Sequence, residues 1–219
     1  MNIEYKSQFG QDKWIIENVF GGMTHGFFVD IGAGDGEVIS NTWTMEKHLK
    51  WDGICLDPCD VTWETLKKNR SCKVDNVLVS DVDGEQDFYE LVSNGYFDSY
   101  FSSTKKPDPH YSELFLKKKK SERLYTILNR LRSATLIHYL SIDTEGMEHD
   151  ILKKFFEDEY IIDKETWKRR ILSMSIEHNL NEEYREKIHS LMTEYCYTRV
   201  NTLGVDDIYV HNIYEVICK

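Results

Sequence analysis

The stretch Gly26-Phe-Phe-Val-Asp-Ile-Gly-Ala-Gly-Asp-Gly36 joins a short apolar run to a glycine-rich turn. The run over residues 26–30 predicts a buried strand, and the glycines that follow let the backbone turn sharply and approach a ligand closely. Apolar residues then recur at helical spacing between residues 38 and 49, and a second apolar run covers residues 51–57. This order of strand, helix and strand predicts parallel strands whose ligands bind beyond their carboxyl ends.

The same alternation continues along the chain. Asp12 is predicted to cap a first helix that ends at Gly21-Gly22, and a C-terminal antiparallel hairpin is predicted from residues 197–200 and 207–211. Between them the patterns predict a helix over residues 62–69, a strand near 73–76, a hairpin of 77–80 with 86–90, a strand over 136–142, a helix with apolar residues from 151 to 156, a strand over 174–177 and a helix from 184 to 195. The prediction is an α/β fold with a mostly parallel sheet and helices on both faces, in a single domain over residues 1–219.

An irregular segment at about residues 93–135 is predicted to be a lid or a substrate-specificity insertion. Between residues 104 and 133 it carries nine Lys or Arg against three acids, a local charge of +6 in a chain of net charge −11. The lysine run over residues 117–120 is predicted to be a solvated helix face. The alternative is that these lysines attract the phosphates of an activated sugar or an RNA.

The charge, the cysteines and the apolar runs of the chain disfavour several classes of protein. The net charge of −11 disfavours a general nucleic-acid binder, because phosphate contacts need a basic surface. The five scattered cysteines form no C-x-x-C pair and are expected to be reduced. No apolar run reaches the roughly 18 residues that a membrane span needs, and the first residues lack the layout of a signal peptide, so a cytoplasmic location is expected.

The glycine turn indicates the kind of cofactor. Its spacing is G-x-G-x-G, whereas the dinucleotide fingerprint needs a glycine at position 37, which is Glu37. A carboxylate at Asp30 would also repel a pyrophosphate, but it suits the ammonium and sulfonium groups of S-adenosylmethionine. Asp57 ends the second strand, where a carboxylate accepts hydrogen bonds from ribose hydroxyls.

At this point the chain resembles the FkbM-like methyltransferases over roughly residues 5 to 211. The likeness rests on five stretches, which are Ser7-Gln-Phe-Gly-Gln-Asp12, Phe28-Val-Asp-Ile-Gly-Ala-Gly-Asp-Gly36, Ser40-Asn-Thr42, Trp51-Asp-Gly-Ile-Cys-Leu-Asp-Pro58 and Ser141-Ile-Asp-Thr-Glu-Gly-Met-Glu148. The resemblance implies a Rossmann-like class I methyltransferase fold with a seven-stranded sheet, S-adenosylmethionine as the cofactor, and O-methylation of sugars or glycosylated products.

The resemblance also implies that the N-terminal glutamines close over the cofactor, and it places Asp57 where family members often have Glu. Together with the motifs, it gives the predicted cofactor-binding residues, which are Gln8, Gln11, Asp30, Gly32, Ala33, Gly34, Gly36, Asn41, Asp57, Pro58, Asp75, Asn76 and Asp143.

Acidic residues follow the strand over 136–142 and end the strand over 174–177. Glu145 is the preferred general base, and Asp143, Glu177 and His178 are further catalytic candidates. Each has a plainer interpretation: Asp143 ties down backbone amides, and His178 is an ordinary hydrogen-bonded residue. As an alternative, Asp143, Glu177 and His178, with Glu145 beside them, offer ligands for a divalent metal.

The sequence therefore predicts an S-adenosylmethionine-dependent O-methyltransferase that acts on a sugar or glycan, including acceptors that bear phosphate. The alternatives are a methyltransferase for an RNA ribose or another small-molecule hydroxyl, and a cofactor-binding module without catalysis. That this chain is one module of a larger protein also stays an alternative.

Overall fold

A computed structural model describes residues 3–91, 103–104, 114–159 and 169–213. The strands are β1 (Phe27–Ile31), β2 (Asp52–Leu56), β3 (Lys73–Asp75), β4 (Leu78–Ser80), β5 (Gly84–Leu91), β6 (Leu114–Arg123), β7 (Leu136–Ile142), β8 (Arg170–Glu177), β9 (Tyr197–Leu203) and β10 (Asp206–His211). The helices are α1 (Gln11–Trp14), which continues as a π-helical turn over Ile15–Val19, then α2 (Trp43–Leu49), α3 (Asp60–Asn69), α4 (Leu124–Arg130), α5 (Glu148–Glu159) and α6 (Glu182–Glu194).

Seven strands form the main sheet in the order β3-β2-β1-β7-β8-β10-β9, with β10 antiparallel to both of its neighbours. The predicted fold class is therefore confirmed. In register, Asp30 lies opposite Cys55 of β2 and Ser141 of β7, while Asp206 at the start of β10 lies opposite Glu177 at the end of β8. Acidic residues from β1, β8 and β10 thus lie toward the same edge of the sheet.

Two apolar cores cover the two faces of this sheet, because successive strand residues point to opposite sides. In β1, Phe28 packs with α1, α2 and α3, whereas Val29 and Ile31 pack on the other face with α4, α5 and α6. Within the described ranges, every helix is too short or too polar to span a membrane.

A second, three-stranded sheet has the order β4-β6-β5. The predicted hairpin of residues 77–80 with 86–90 is therefore wrong, because β6 lies between those two strands and pairs with both. Opposite charges face each other across β5 and β6, where Lys118 pairs with Asp87 at 2.6 Å and Lys117 with Glu90. Such cross-strand pairs favour this arrangement over a local hairpin.

The predicted irregular segment is also corrected in part. Its lysine run lies on β6 and not on a helix face, and α4 follows directly. The remainder of the predicted lid, residues 93–102 and 105–113, lies outside the described residues.

Three predicted element boundaries differ from the structure. Gly10 is the N-cap of α1, and Asp12 lies inside the helix with its carboxylate fully buried, where it accepts hydrogen bonds from the Lys6 amide at 2.7 Å and the Thr44 hydroxyl at 2.8 Å. Val38 is exposed ahead of α2, which begins at Trp43, and β8 begins at Arg170 rather than Met174.

Candidate active site

A cleft lies at the carboxyl edge of the main sheet, beyond β1, β2, β7 and β8. Of the predicted site residues, ten line it, namely Gln8, Asp30, Gly32, Ala33, Asn41, Asp57, Pro58, Asp143, Glu145 and Glu177. The parallel strands bring these side chains together because their carboxyl ends are aligned in register.

The glycine turn packs directly against neighbouring backbone. Gly32 has φ +83°, and a Cβ atom there would lie 1.8 Å from the carbonyl oxygen of Asp143. Gly36 has φ +82°, and its Cβ would lie 2.7 Å from side-chain atoms of Leu66 and Arg70. The first of these glycines lines the cleft, and the second seats the turn on α3.

Asp57 holds the same turn from β2. One of its carboxylate oxygens accepts the Gly34 amide at 2.8 Å and the other accepts the Cys59 amide at 2.8 Å. Burial raises the pKa of Asp57 to about 6, against the lowering effect of these hydrogen bonds. The oxygen that accepts the Cys59 amide also accepts the Thr62 hydroxyl at 3.4 Å, so the oxygen that accepts the Gly34 amide is the one with a further acceptor position for a ligand hydroxyl.

Asp75 and Asn76, also predicted to bind the cofactor, do not line the cleft. The Asn76 amide donates to the carbonyl oxygens of Asp57 at 3.2 Å and Cys59 at 3.1 Å, so it supports the Asp57 turn from behind. Asp75 forms an ion pair with Arg130 at 2.6 Å.

Asp30 is buried and accepts a 2.5 Å hydrogen bond from the Thr42 hydroxyl. The guanidinium of Arg70, whose side chain has no exposed surface, completes this network, a role that the sequence analysis missed. It donates to Glu46 at 2.7 Å, to the Gly36 carbonyl at 2.9 Å and to the Thr42 hydroxyl at 2.7 Å. Burial raises the pKa of Asp30, while Arg70 acts in the opposite direction.

Asn41 reaches the end of β7, where its amide donates to the Ser141 hydroxyl at 2.9 Å. Its Oδ1 atom is buried and has no hydrogen-bond partner among the described residues. A buried carbonyl oxygen without a partner is costly, so it indicates a place for a ligand donor such as an ammonium group.

The N-terminal segment covers this edge of the sheet. Ser7 forms a parallel bridge with Ile39, Gln8 lines the cleft, and the Gln11 amide donates to the Asp206 carboxylate. Gln11 itself does not line the cleft, and its side chain accepts the Phe9 amide at 2.9 Å and donates to Asp206 of β10.

Three carboxylates form an acid trio, which is Asp143, Glu145 and Glu177; one oxygen from each lies within 4.8 Å of the others. The carboxyl groups of Asp143 and Glu177 are hydrogen-bonded to each other. Burial, together with mutual repulsion, raises the pKa of Glu177 to about 12 and that of Asp143 well above its usual value, so this pair holds a proton at neutral pH.

Glu145 has a different environment. Burial raises its pKa only to about 6, because the Asn179 amide donates to it at 3.2 Å and opposes the rise. The same amide donates to Glu177 at 3.0 Å, so Asn179 joins the two loops. Glu145 and Asn179 both have left-handed backbone, at φ +57° and +48°, a conformation that costs about 1 kcal/mol or more for residues other than glycine.

Glu148 and His178 lie near the acid trio, but their side chains bind other groups of the protein. Glu148 begins α5 fully buried and accepts the amides of Thr144 at 2.7 Å and Gly146 at 3.1 Å. His178 points to the opposite face of the sheet from Glu177, where its Nδ1 accepts the Leu180 amide at 3.2 Å and its Nε2 lies 3.8 Å from Asp207. A divalent cation at the trio would have Glu145 rather than His178 as its third protein ligand, and such a metal stays a prediction.

Ser103 and Thr104 lie within the segment predicted to be a lid or a substrate-specificity insertion, and Thr104 reaches the cleft. Ser103 exchanges two backbone hydrogen bonds with Tyr89 of β5, at 2.8 and 3.1 Å, and its hydroxyl donates to the Glu145 carbonyl at 3.2 Å. Thr104 lines the cleft, and its buried Oγ1 has no hydrogen-bond partner among the described residues.

Residues 30–203 match the family model of the methyltransferase FkbM domain. The chain belongs to this family. The match covers the glycine turn, Asp57, the acid trio and β9, and it ends before β10. The family implies S-adenosylmethionine as the methyl donor. Curated protein sequences gave no match to this FkbM domain.

Solved structures of methyltransferases match this chain at low sequence identity. The methyltransferase FkbM from Methylobacillus flagellatus KT is 12% identical with a TM-score of 0.50, and the match covers 85% of this chain and 44% of that one. Human methyltransferase 10 domain containing protein is 11% identical with a TM-score of 0.47, over 94% of this chain and 83% of that one. This FkbM domain therefore spans less than half the length of the Methylobacillus protein.

Proposed function

We propose that this FkbM domain transfers a methyl group from S-adenosylmethionine to a hydroxyl of a sugar or glycan. The observation that carries the proposal is Glu145. It is the member of the acid trio whose pKa, about 6, leaves it ionised at neutral pH, and it lines the same cleft as the glycine turn. A carboxylate that is ionised but still basic is suited to take a proton from a hydroxyl.

The cleft residues fit this cofactor. Asp30 and Asp143, with the unpartnered Oδ1 of Asn41, provide acceptors for a cationic methionine portion. The remaining acceptor position of Asp57 suits a ribose hydroxyl. Beyond Asp57, Cys59, Leu78 and Phe88 form an apolar cluster that suits a flat purine ring.

When bound, the cofactor supplies a methyl group on a positively charged sulfur. The protein residues then align the acceptor and handle its proton. Glu145 accepts the hydroxyl proton, and its position is held by the Asn179 amide and by the Ser103 hydrogen bond to its carbonyl. The protonated pair of Asp143 and Glu177 leaves Glu145 as the free base, and a positioned base of this kind contributes about 10² to 10⁴-fold to the rate.

The contacts of the lysine run argue against an RNA acceptor. Each of Lys117, Lys118, Lys119 and Lys120 forms an ion pair with an acid of this chain. A phosphate backbone would have to displace those acids, so the lysine run over residues 117–120 is not a free phosphate-binding surface.

Calorimetry and a transfer assay together test the proposal. We expect S-adenosylmethionine and S-adenosylhomocysteine to bind and NAD not to bind, and we expect Asp57→Ala to weaken both adenosyl ligands at least tenfold. Glu145→Gln should lower methyl transfer by about 10² to 10⁴-fold while the affinity for S-adenosylhomocysteine changes less than twofold. The exposed Glu182→Gln on α6 is the matched control and should change neither. Binding of NAD alone, or unchanged transfer by Glu145→Gln, would contradict the proposal.

A further inference from the structure

We propose that the acceptor is an uncharged polyol, recognised through its hydroxyl groups by Thr104 and the acid trio, and that a phosphate close to the methylated hydroxyl excludes an acceptor. This inference rests on the proposed function and names the substrate class of the same cleft. It reverses the sequence-based expectation that a phosphate-bearing acceptor is accommodated.

The charge of the cleft wall is the first observation. Five carboxylates line it, namely Asp30, Asp57, Asp143, Glu145 and Glu177, whereas none of its lining residues in the described part of the chain is Lys, Arg or His. A bound S-adenosylmethionine brings a net charge of only +1. Because Asp143 and Glu177 share one proton, the five carboxyl groups carry at most four negative charges, and the wall still stays negative after the cofactor binds and repels a phosphate.

The nearby cations are already engaged, which is the second observation. Lys117 pairs with Glu90 and Asp60, and Lys119 contacts Asp60 and Asn76. Arg70 is directed into the glycine turn. These groups of the described residues neutralise acids of the protein and do not line the cleft, so none of the three is free to bind an anion.

The hydrogen-bonding character of the cleft is the third observation. Ionised carboxylates only accept hydrogen bonds, so a ligand beside Glu145 must bring donors. The unpartnered Thr104 hydroxyl can both donate and accept, which matches another hydroxyl. Ser103 fixes this residue between β5 and the Glu145 loop through three hydrogen bonds. Thr104 and Glu145 are therefore placed to contact adjacent hydroxyls of one acceptor.

The test uses the full chain saturated with S-adenosylhomocysteine. Binding of D-glucose, D-galactose and L-rhamnose is compared by saturation-transfer NMR with binding of glucose 1-phosphate and galactose 1-phosphate. We expect at least one neutral sugar to bind tenfold or more tightly than either phosphate. Thr104→Val, which keeps the side-chain shape and removes the hydroxyl, should weaken that sugar at least fivefold. The same variant should leave the affinity for S-adenosylhomocysteine within twofold, and Thr193→Val on the exposed face of α6 should change neither.

The outcomes separate this inference from the proposed function. If S-adenosylhomocysteine does not bind, the proposed function fails and this inference fails with it. If S-adenosylhomocysteine binds but a sugar phosphate is preferred to the neutral sugars, the substrate class is overturned while the cofactor assignment stands. The same holds if neither the neutral sugars nor the sugar phosphates bind. If Thr104→Val binds the neutral sugar like the parent protein, the role of Thr104 is overturned.

Discussion

A Cβ atom on Gly32 would lie 1.8 Å from the carbonyl oxygen of Asp143. The glycine turn after β1 and the loop that carries Asp143 and Glu145 are therefore in direct backbone contact. The Asp143 amide also donates to the Ile31 carbonyl at 3.0 Å, so the contact is fixed on both sides. The cofactor turn and the candidate base share one rigid junction, and a change at Gly32 has to displace Asp143.

Gly32→Ala tests this junction, and Gly10→Ala is its matched control. Both glycines have φ +83°, but a Cβ on Gly10 meets nothing within 4 Å. We expect Gly10→Ala to cost only the backbone strain, about 1 kcal/mol of the free energy of unfolding. Gly32→Ala should cost several times more or abolish S-adenosylhomocysteine binding, measured by urea denaturation and calorimetry. Equal effects of the two variants would contradict the steric argument.

Arg70 provides a second test, because its guanidinium joins Glu46 of α2, the Gly36 carbonyl and Thr42. Removal of one partner of a buried ion pair costs about 3 to 5 kcal/mol. We therefore expect Arg70→Met to lower the free energy of unfolding by about that amount. Arg70→Lys should recover only part of it, because an ammonium lacks the planar fork of donors. Full recovery by lysine would show that charge alone, and not the fork geometry, holds the turn.

The residues that could be predicted from sequence lie where strand patterns end. Asp30, Asp57, Asp143 and Glu177 each terminate or follow an apolar run, and parallel strands bring such positions to one edge. The same periodicity separates His178 from Glu177, since adjacent strand residues point to opposite faces. A stricter use of that rule would have removed His178 from the cleft.

The other parts of the site depend on contacts between distant segments. The pairing of β6 with β4 and β5 joins residues that are 23 to 43 positions apart, and no local pattern distinguishes it from a hairpin. Arg70 lies at the end of an ordinary amphipathic helix, and its role appears only when α3 packs on the glycine turn. Thr104 is fixed through Ser103 to β5 and to the Glu145 loop, which are remote in sequence.

The shared proton of Asp143 and Glu177 has a consequence for stability. The folded pKa of Glu177, about 12, lies above its ordinary value of 4.5, so its contribution to stability is full below pH 4.5 and is lost as the pH rises toward 12. Glu177→Gln does not titrate and keeps a donor for Asp143. We expect the free energy of unfolding of this variant to gain on the parent protein as the pH rises, by at most about 1.4 kcal/mol per pH unit.

Urea denaturation at pH 6, 7, 8 and 9 measures this gain. Glu182→Gln is the control, because Glu182 is exposed and its removal should give a difference that does not change with pH. A pH-independent difference for Glu177→Gln as well would show that the pair does not hold a proton in the folded protein.

The pH dependence of methyl transfer tests the assignment of Glu145 as the base. Its pKa is about 6, and only the ionised form accepts a proton, so log kcat/KM should rise with a slope of about one up to pH 6 and level off above it. Glu145→Gln should lose this rising part of the pH profile, which we call the rate limb, together with most of the rate.

Asn179→Ala removes the hydrogen bond that lowers the pKa of Glu145, so the rate limb should move to higher pH while the folded structure is kept. A carboxyl ¹³C NMR titration of Glu145 in both proteins follows the same ionisation without an acceptor. If the NMR pKa moves in Asn179→Ala but the rate limb does not, Glu145 titrates in the cleft without being the base, and a different group takes the hydroxyl proton.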